Sequence, residues 1–150
     1  MRDRLDNDLK IALKARDKRR TGTLRLILAA IKDRDIDARG SGNEQISEQD
    51  IMALLQKMIK QREESAKIYS ENDRAELASQ ERAEIAIIDE FLPQAMGDED
   101  VLAAISAAIE ATGATSLRDM GKVVAQLKEK YPGQIDFGKA SKTVKGLLGA

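Results

Sequence analysis

Apolar residues recur at helical spacing in every long segment of this 150-residue chain, and no segment sustains the two-residue alternation of a half-buried strand. The opening pattern predicts a helix over 3–17, with Leu5, Leu9, Ala12 and Leu13 turned inward. "DKRRTG" then reads as a short connection. A second helix carries Leu24, Ile27, Leu28 and Ile31 at i, i+3, i+4 and i+7 and fades near Ala38. "ARGSGNEQ" predicts a loop, because Gly40 and Gly42 are poor helix formers. Ser47 opens a third helix, with Asp50 in the reciprocal position of a capping box. Ile51, Leu54, Leu55, Met58, Ile59 and Arg62 mark its inner stripe, which reaches Ser70. Asp73 with Glu76 repeats the capping spacing and predicts a fourth helix lined by Leu77, Ile85, Ile88 and Leu92. That helix ends at Leu92, since Pro93 disfavours helical backbone in the residue before it.

"PQAMGDED" joins Pro, Gly and a fresh acidic cap, Asp98, and reads as a domain boundary. Three shorter helices follow. One spans 99–111 and is stopped by Gly113 as a left-handed C-terminal residue. The next opens at Ser116, with Asp119 three residues on, and runs to Tyr131. The last opens at Asp136 and runs to Leu148. The expected fold is all-α: a four-helix unit over 1–93, then a three-helix unit over 97–150. The second unit is near the lower size limit for independent folding. No internal repeat and no low-complexity tract interrupts this pattern.

Composition narrows the chemistry. The chain has no Cys and no His, which removes disulfides, thiol nucleophiles, Cys/His zinc sites and imidazole acid–base catalysis. No apolar run approaches the ~20 residues of a membrane span, and the charged start "MRDRLDNDLK" has no export-signal core. A cytoplasmic location is the expectation. The formal net charge of −1 conceals an uneven distribution. Residues 1–40 hold twelve Lys/Arg against seven Asp/Glu, residues 41–100 hold six against fifteen, and residues 121–150 hold six against two. Two readings fit: ordinary solvated helix faces, or two basic surfaces that meet a polyanion.

No catalytic constellation emerges. Gly133-x4-Gly138-Lys139 imitates a phosphate loop, but the residue after Lys139 is Ala140, a helical pattern precedes the motif where a strand is required, and no glycine lies among the intervening residues. The same residues serve better as a corner: Pro132 stops a helix, Gly133 supplies a positive φ and Asp136 caps the next helix. Ser141 and Lys142 are adjacent and point about 100° apart on a helix, so they do not form a dyad. The pairs Glu63-Glu64 and Asp89-Glu90 read as exposed helix charges, and no carboxylate ladder suggests a metal. The expectation is no catalytic residue, no metal and no cofactor. The basic segments remain. On an ideal helix from Asp136, Phe137, Ala140, Val144, Leu147 and Leu148 share one arc, and Lys139, Lys142 and Lys145 line the opposite one. Arg16, Lys18, Arg19, Arg20 and Arg25 cluster around the first corner. With two Phe, two Tyr and no Trp, stacking platforms for single strands are scarce, and phosphate contact with a folded RNA suits these side chains better.

Three blocks, "RTGTLRLILAAIKDRDID", "FLPQAM" and "DMGKVVAQLKEKYPGQIDFGKASKTVKGLL", resemble the GatB/YqeY family in its small stand-alone YqeY-like form. The third block carries Met120-Gly121-Lys122, the Gly133 turn, Asp136 and the Val144/Leu147 face, whereas Ile135 and Phe137 stand where the family pattern has smaller residues. The resemblance implies an all-helical protein in two parts. Its second part is similar to the tail of the B subunit of the glutamine-dependent tRNA amidotransferase, a region associated with tRNA and lacking the catalytic centre. It therefore implies a non-catalytic accessory protein that binds tRNA, or a tRNA-handling enzyme, through Lys122, Lys128, Lys139, Lys142 and Lys145. Two alternatives stay open: a protein–protein adaptor using the acidic central helices, and an amidotransferase component, a carbon–nitrogen ligase with glutamine as amido donor, active only with other subunits.

Overall fold

A computed structural model describes residues 1–149. It contains α1 (Arg2–Lys14), α2 (Lys18–Arg39), α3 (Glu48–Glu71), α4 (Ala75–Asp89), α5 (Asp98–Thr112), a 3-10 turn (Leu117–Asp119), α6 (Met120–Lys130) and α7 (Phe137–Leu148). There is no strand among the described residues, and the fold is all-α. The chain divides into two compact units, Met1–Leu92 and Pro93–Ala150.

In the first unit, Leu5, Leu24, Ile27, Ile51, Leu55, Ile88 and Phe91 form the core, drawn from all four helices and the segment after α4. Helices α3 and α4 form a hairpin joined by three residues. The Ser47 hydroxyl accepts the Asp50 N–H at 3.1 Å and the Asp50 carboxylate accepts the Ser47 N–H at 3.3 Å, so the start of α3 carries the expected capping box. The first corner differs from expectation. Asp17 accepts the Arg20 N–H at 3.0 Å and starts α2 at Lys18, so most of "DKRRTG" is helical. The reversal is accomplished by Arg16 in left-handed backbone, with φ 56°. Asp73 also adopts φ 56° and caps nothing. The residue preceding α4 is Arg74, and no side chain caps that helix. Leu13, expected inside, is 46% exposed, because the α1 face that meets the core is set by Leu5, Leu9 and Ala12. α4 ends at Asp89, and residues 90–92 continue as a turn.

The second unit packs α5, α6 and α7 around Ile105, Val123, Leu127, Ile135, Ala140 and Val144. Gly97, not Asp98, precedes α5, and Asp98 lies in its first turn. Gly113 terminates α5 with φ 66°. Ser116 and Asp119 form the expected reciprocal cap, yet it opens a 3-10 turn before α6 begins at Met120. Between α6 and α7 the chain turns at Gly133, whose φ of 76° lies where a Cβ is disfavoured. The Gln134 N–H donates to the Tyr131 carbonyl at 3.2 Å, and the Gln134 carbonyl accepts the Met96 N–H at 3.0 Å, so the segment before α5 is fastened to this corner. Leu147 is 53% exposed, contrary to its placement on the inner arc; Val144 and Leu148 carry the core contacts of this end of α7.

Candidate nucleic-acid interface

Helix α7 begins with a fixed anion of its own. One carboxylate oxygen of Asp136 accepts the N–H groups of Gly138 at 3.0 Å and Lys139 at 3.2 Å. These are the donors that a phosphate at the Gly133-x4-Gly138-Lys139 motif would need, and they are committed to the cap. The hydroxyls downstream are also turned inward: Ser141 donates to the Phe137 carbonyl at 2.7 Å and Thr143 to the Lys139 carbonyl at 3.2 Å. The arrangement suits helix formation and leaves no poised nucleophile on α7.

The lysines face outward. Lys122, Lys128, Lys139, Lys142 and Lys145 are all exposed. The structure brings three of them together: Lys139, Lys142 and Lys145 follow at three-residue steps along α7, within about 120° of arc, away from buried Ala140 and Val144. The salt bridges of the described residues include none of these three. The other two stand apart. Lys128, in the last turn of α6, lies with its Nζ 5.9 Å from the centroid of the Phe137 ring, next to the start of α7. Lys122, near the start of α6, lies beside Asp119. That carboxyl is held below its ordinary range by the N–H groups of Thr115 and Ser116, with Lys122 adding to the effect. On α6 the two lysines are six residues apart, so they project about 120° from each other. Lys130 is a further exposed cation that the sequence reading left out; its signal was its place in the last turn of α6.

A hollow of about 460 Å³ adjoins the α7 stripe, lined by Leu117, Lys142, Lys145, Gly146 and Gly149. Sequence reasoning missed it, because its walls come from segments some thirty residues apart. One local signal was present: a glycine, Gly146, inside an otherwise regular amphipathic helix.

The basic corner of the first unit is built differently. Arg20 donates to Glu90 at 2.7 Å and to Asp8 at 3.1 Å, joining α2 to α1 and to the end of α4. Its pKa is raised, mainly by the hydrogen bond to Glu90. Arg4 donates to the Glu90 carbonyl at 2.7 Å and lies 4.7 Å from the Phe91 ring centroid. Arg2 grips Asp35 through both nitrogens, at 2.8 and 2.9 Å. Asp35 also accepts the Ile46 N–H at 2.8 Å. The Arg2 hydrogen bond, followed by that of Ile46, lowers the Asp35 carboxyl to about 2. Lys18, Arg19 and Arg25 remain exposed around this corner. Among the described residues no group of three or more acidic side chains is placed to hold a metal, and no helix is long and apolar enough to cross a membrane.

These features define a two-unit helical protein with an outward lysine stripe on its last helix. Residues 2–148 match the family described as Yqey-like protein, and the chain belongs to that family. It is 30% identical over 149 residues to a protein of Eremothecium gossypii, covering 97% of this chain and 79% of the relative. It is 38% identical over 90 residues to one of Lachancea thermotolerans, covering 60% and 46%. A Kluyveromyces lactis relative is 34% identical over 98 residues, covering 63% and 51%. All three are named altered inheritance of mitochondria protein 41, mitochondrial. The chain thus spans about half the length of several curated relatives it matches, 46% in the Lachancea case. These names overturn the cytoplasmic location expected from the sequence, since the relatives are designated mitochondrial. A chain without cysteine carries no redox signal, so its composition could not separate one compartment from another.

Proposed function

We propose that this protein is a non-catalytic accessory factor that binds tRNA through the lysine stripe of α7, with Lys128 and Lys122 as flanking contacts. The observation that carries the reading is the outward, unpaired row of Lys139, Lys142 and Lys145 opposite the buried Ala140/Val144 face. Ammonium groups held on one side of a rigid helix act as point charges for successive phosphates. The resemblance of the second unit to the tRNA-associated tail of the amidotransferase B subunit names the polyanion. The mitochondrial designation of the relatives makes a mitochondrial tRNA pool the first source to assay.

The contacts position an RNA and do not read its bases, so affinity depends on salt far more than on sequence. The test is a salt titration of tRNA binding by the wild type and by a Lys139→Gln, Lys142→Gln, Lys145→Gln variant. Wild-type affinity should fall steeply with salt. The variant should bind more weakly, with its slope reduced by roughly one phosphate contact per effective lysine. Equal affinities and equal slopes would remove this face as an RNA site. Recovery of the protein from cells with a basic protein and no RNA would favour the adaptor reading through the acidic helices. Glutamine-dependent amide transfer after addition of partner subunits would favour the amidotransferase reading.

A further inference from the structure

We infer that the hollow beside the α7 lysines seats an unpaired nucleotide of the bound RNA, with Gly146 held as glycine so that the ribose can approach the helix backbone. The inference rests on the tRNA-binding reading above and adds what that surface selects.

Two glycines line the hollow, and they differ in what the fold asks of them. At Gly149 a Cβ would meet the Lys145 carbonyl oxygen at 2.9 Å and Leu117 side-chain carbons at 3.5 and 3.8 Å, so the end of α7 requires glycine there. At Gly146 a Cβ would meet nothing within 4 Å, and the residue is exposed within the helical run. Nothing inside the protein needs glycine at that position, and glycine weakens a helix relative to nearly every other residue. Gly22 and Gly121 are likewise helical glycines with open space at the Cβ position; Gly146 differs in lying on the hollow beside two lysines, where its bare backbone leaves room for something from outside.

The walls specify its chemistry. Lys142 and Lys145 offer two ammonium groups for the phosphates on either side of one nucleotide. Leu117 is 49% exposed and offers an apolar surface to a base. The last turn of α7 presents backbone carbonyls, which accept hydrogen bonds and carry the negative end of the helix dipole. A ribose 2′-hydroxyl can donate to such a group, which favours RNA over DNA. A base-paired nucleotide keeps its base in the stack and cannot lay it against Leu117.

The test uses Gly146→Leu in the full chain, with unfractionated tRNA and a blunt, fully paired RNA duplex as probes. The added side chain has space and leucine is a good helix former, so the melting temperature should stay level or rise. Affinity for tRNA should fall about tenfold, as when one well-packed contact is lost. Duplex binding and the salt slope should not change, because every lysine is retained. A second variant, Leu117→Ser, acts from the opposite wall and should lower tRNA binding in the same selective way. Wild-type-like tRNA binding by both variants would refute the hollow while leaving the lysine stripe intact. Equal losses for tRNA and duplex would also refute it, since selection for an unpaired nucleotide would be absent. If wild-type protein bound poly-glutamate and no tRNA, or if the triple lysine variant kept the wild-type salt slope, the underlying tRNA reading would fall instead.

Discussion

The corner between α1 and α2 and the outer face of α7 are both rich in cations, yet the two regions use them in opposite ways. At the first corner Arg20 bridges Asp8 and Glu90, Arg4 reaches the Glu90 carbonyl and Phe91, and Arg2 clamps Asp35 and the Ile46 backbone. These contacts join segments as far as 86 residues apart in sequence. On α7 the cations are lysines, aligned and without carboxylate partners. The guanidinium fork suits fixed, directional contacts to carboxylates and carbonyls, whereas the ammonium is a mobile, strongly hydrated point charge. Local net charge alone therefore does not identify a binding face. Whether the charge is already answered within the protein is the better criterion.

The largest expected effect on stability tests the first half of that contrast. Arg20→Met leaves Asp8 and Glu90 without their shared partner. Urea unfolding should show a loss of about 1–3 kcal/mol, less than for a fully buried pair, since Arg20 is a quarter exposed. A change within ~0.5 kcal/mol would place Arg20 with the idle surface charges.

Acid should act on the same unit. The Asp35 carboxyl is lowered to about 2 by Arg2 first and the Ile46 N–H second. A depressed carboxyl contributes stability that is complete above its unfolded value of about 3.9 and is lost as pH falls through the folded value. Unfolding midpoints should therefore drop between about pH 4 and 2, and Asp35→Asn should flatten that part of the curve while lowering stability at neutral pH. An unchanged acid limb in Asp35→Asn would mean that this clamp adds nothing to pH stability.

The contrast between the regions also explains what the sequence disclosed. Ser47 with Asp50, Gly113, Gly133 and Asp136 announced helix ends because each acts on backbone within a few residues. Arg16 gave no such signal and Asp73 gave a misleading one: both adopt left-handed backbone without being glycine, and Asp73 does not cap α4. Leu13 and Leu147 lay on plausible inner arcs and are nevertheless half exposed, because tertiary neighbours decide which part of an arc is covered. The α7 stripe was legible from helical periodicity alone. The partners of Arg20 were not, being twelve and seventy residues away, and neither was the hollow, which needs Leu117 brought to Gly146.

A smaller effect concerns Arg16, whose side chain is exposed and whose φ is 56°. Left-handed backbone costs a non-glycine residue about 1–2 kcal/mol, and glycine returns part of that by its larger unfolded-state entropy. Arg16→Gly should therefore stabilise the protein by about 0.5 kcal/mol, read as a higher urea midpoint. A loss of stability would show that the Arg16 side chain belongs with the bridging arginines.

The smallest expected effect is the one that most sharpens the comparison. Replacing Lys139, Lys142 and Lys145 together by Gln removes three charges from α7, yet its stability should move by no more than about 0.5 kcal/mol, because two small terms oppose each other. Lys139/Lys142 and Lys142/Lys145 are like charges three residues apart, and their removal relieves repulsion. Lys145 lies in the last turn, where a cation favours the helix dipole, and its removal forfeits that gain. Glutamine and lysine have similar helix propensity, so the backbone contributes little. Salt separates the two terms from any structural role: screening should change the small stability difference between variant and wild type only slightly, while it strongly weakens RNA binding by the wild type. A loss above about 1 kcal/mol, well outside the range of idle surface charges, would show that the lysines hold α7 in place as the arginines hold the first unit. The stripe would then be part of the scaffold, and its weaker RNA binding after substitution would follow from a loosened helix.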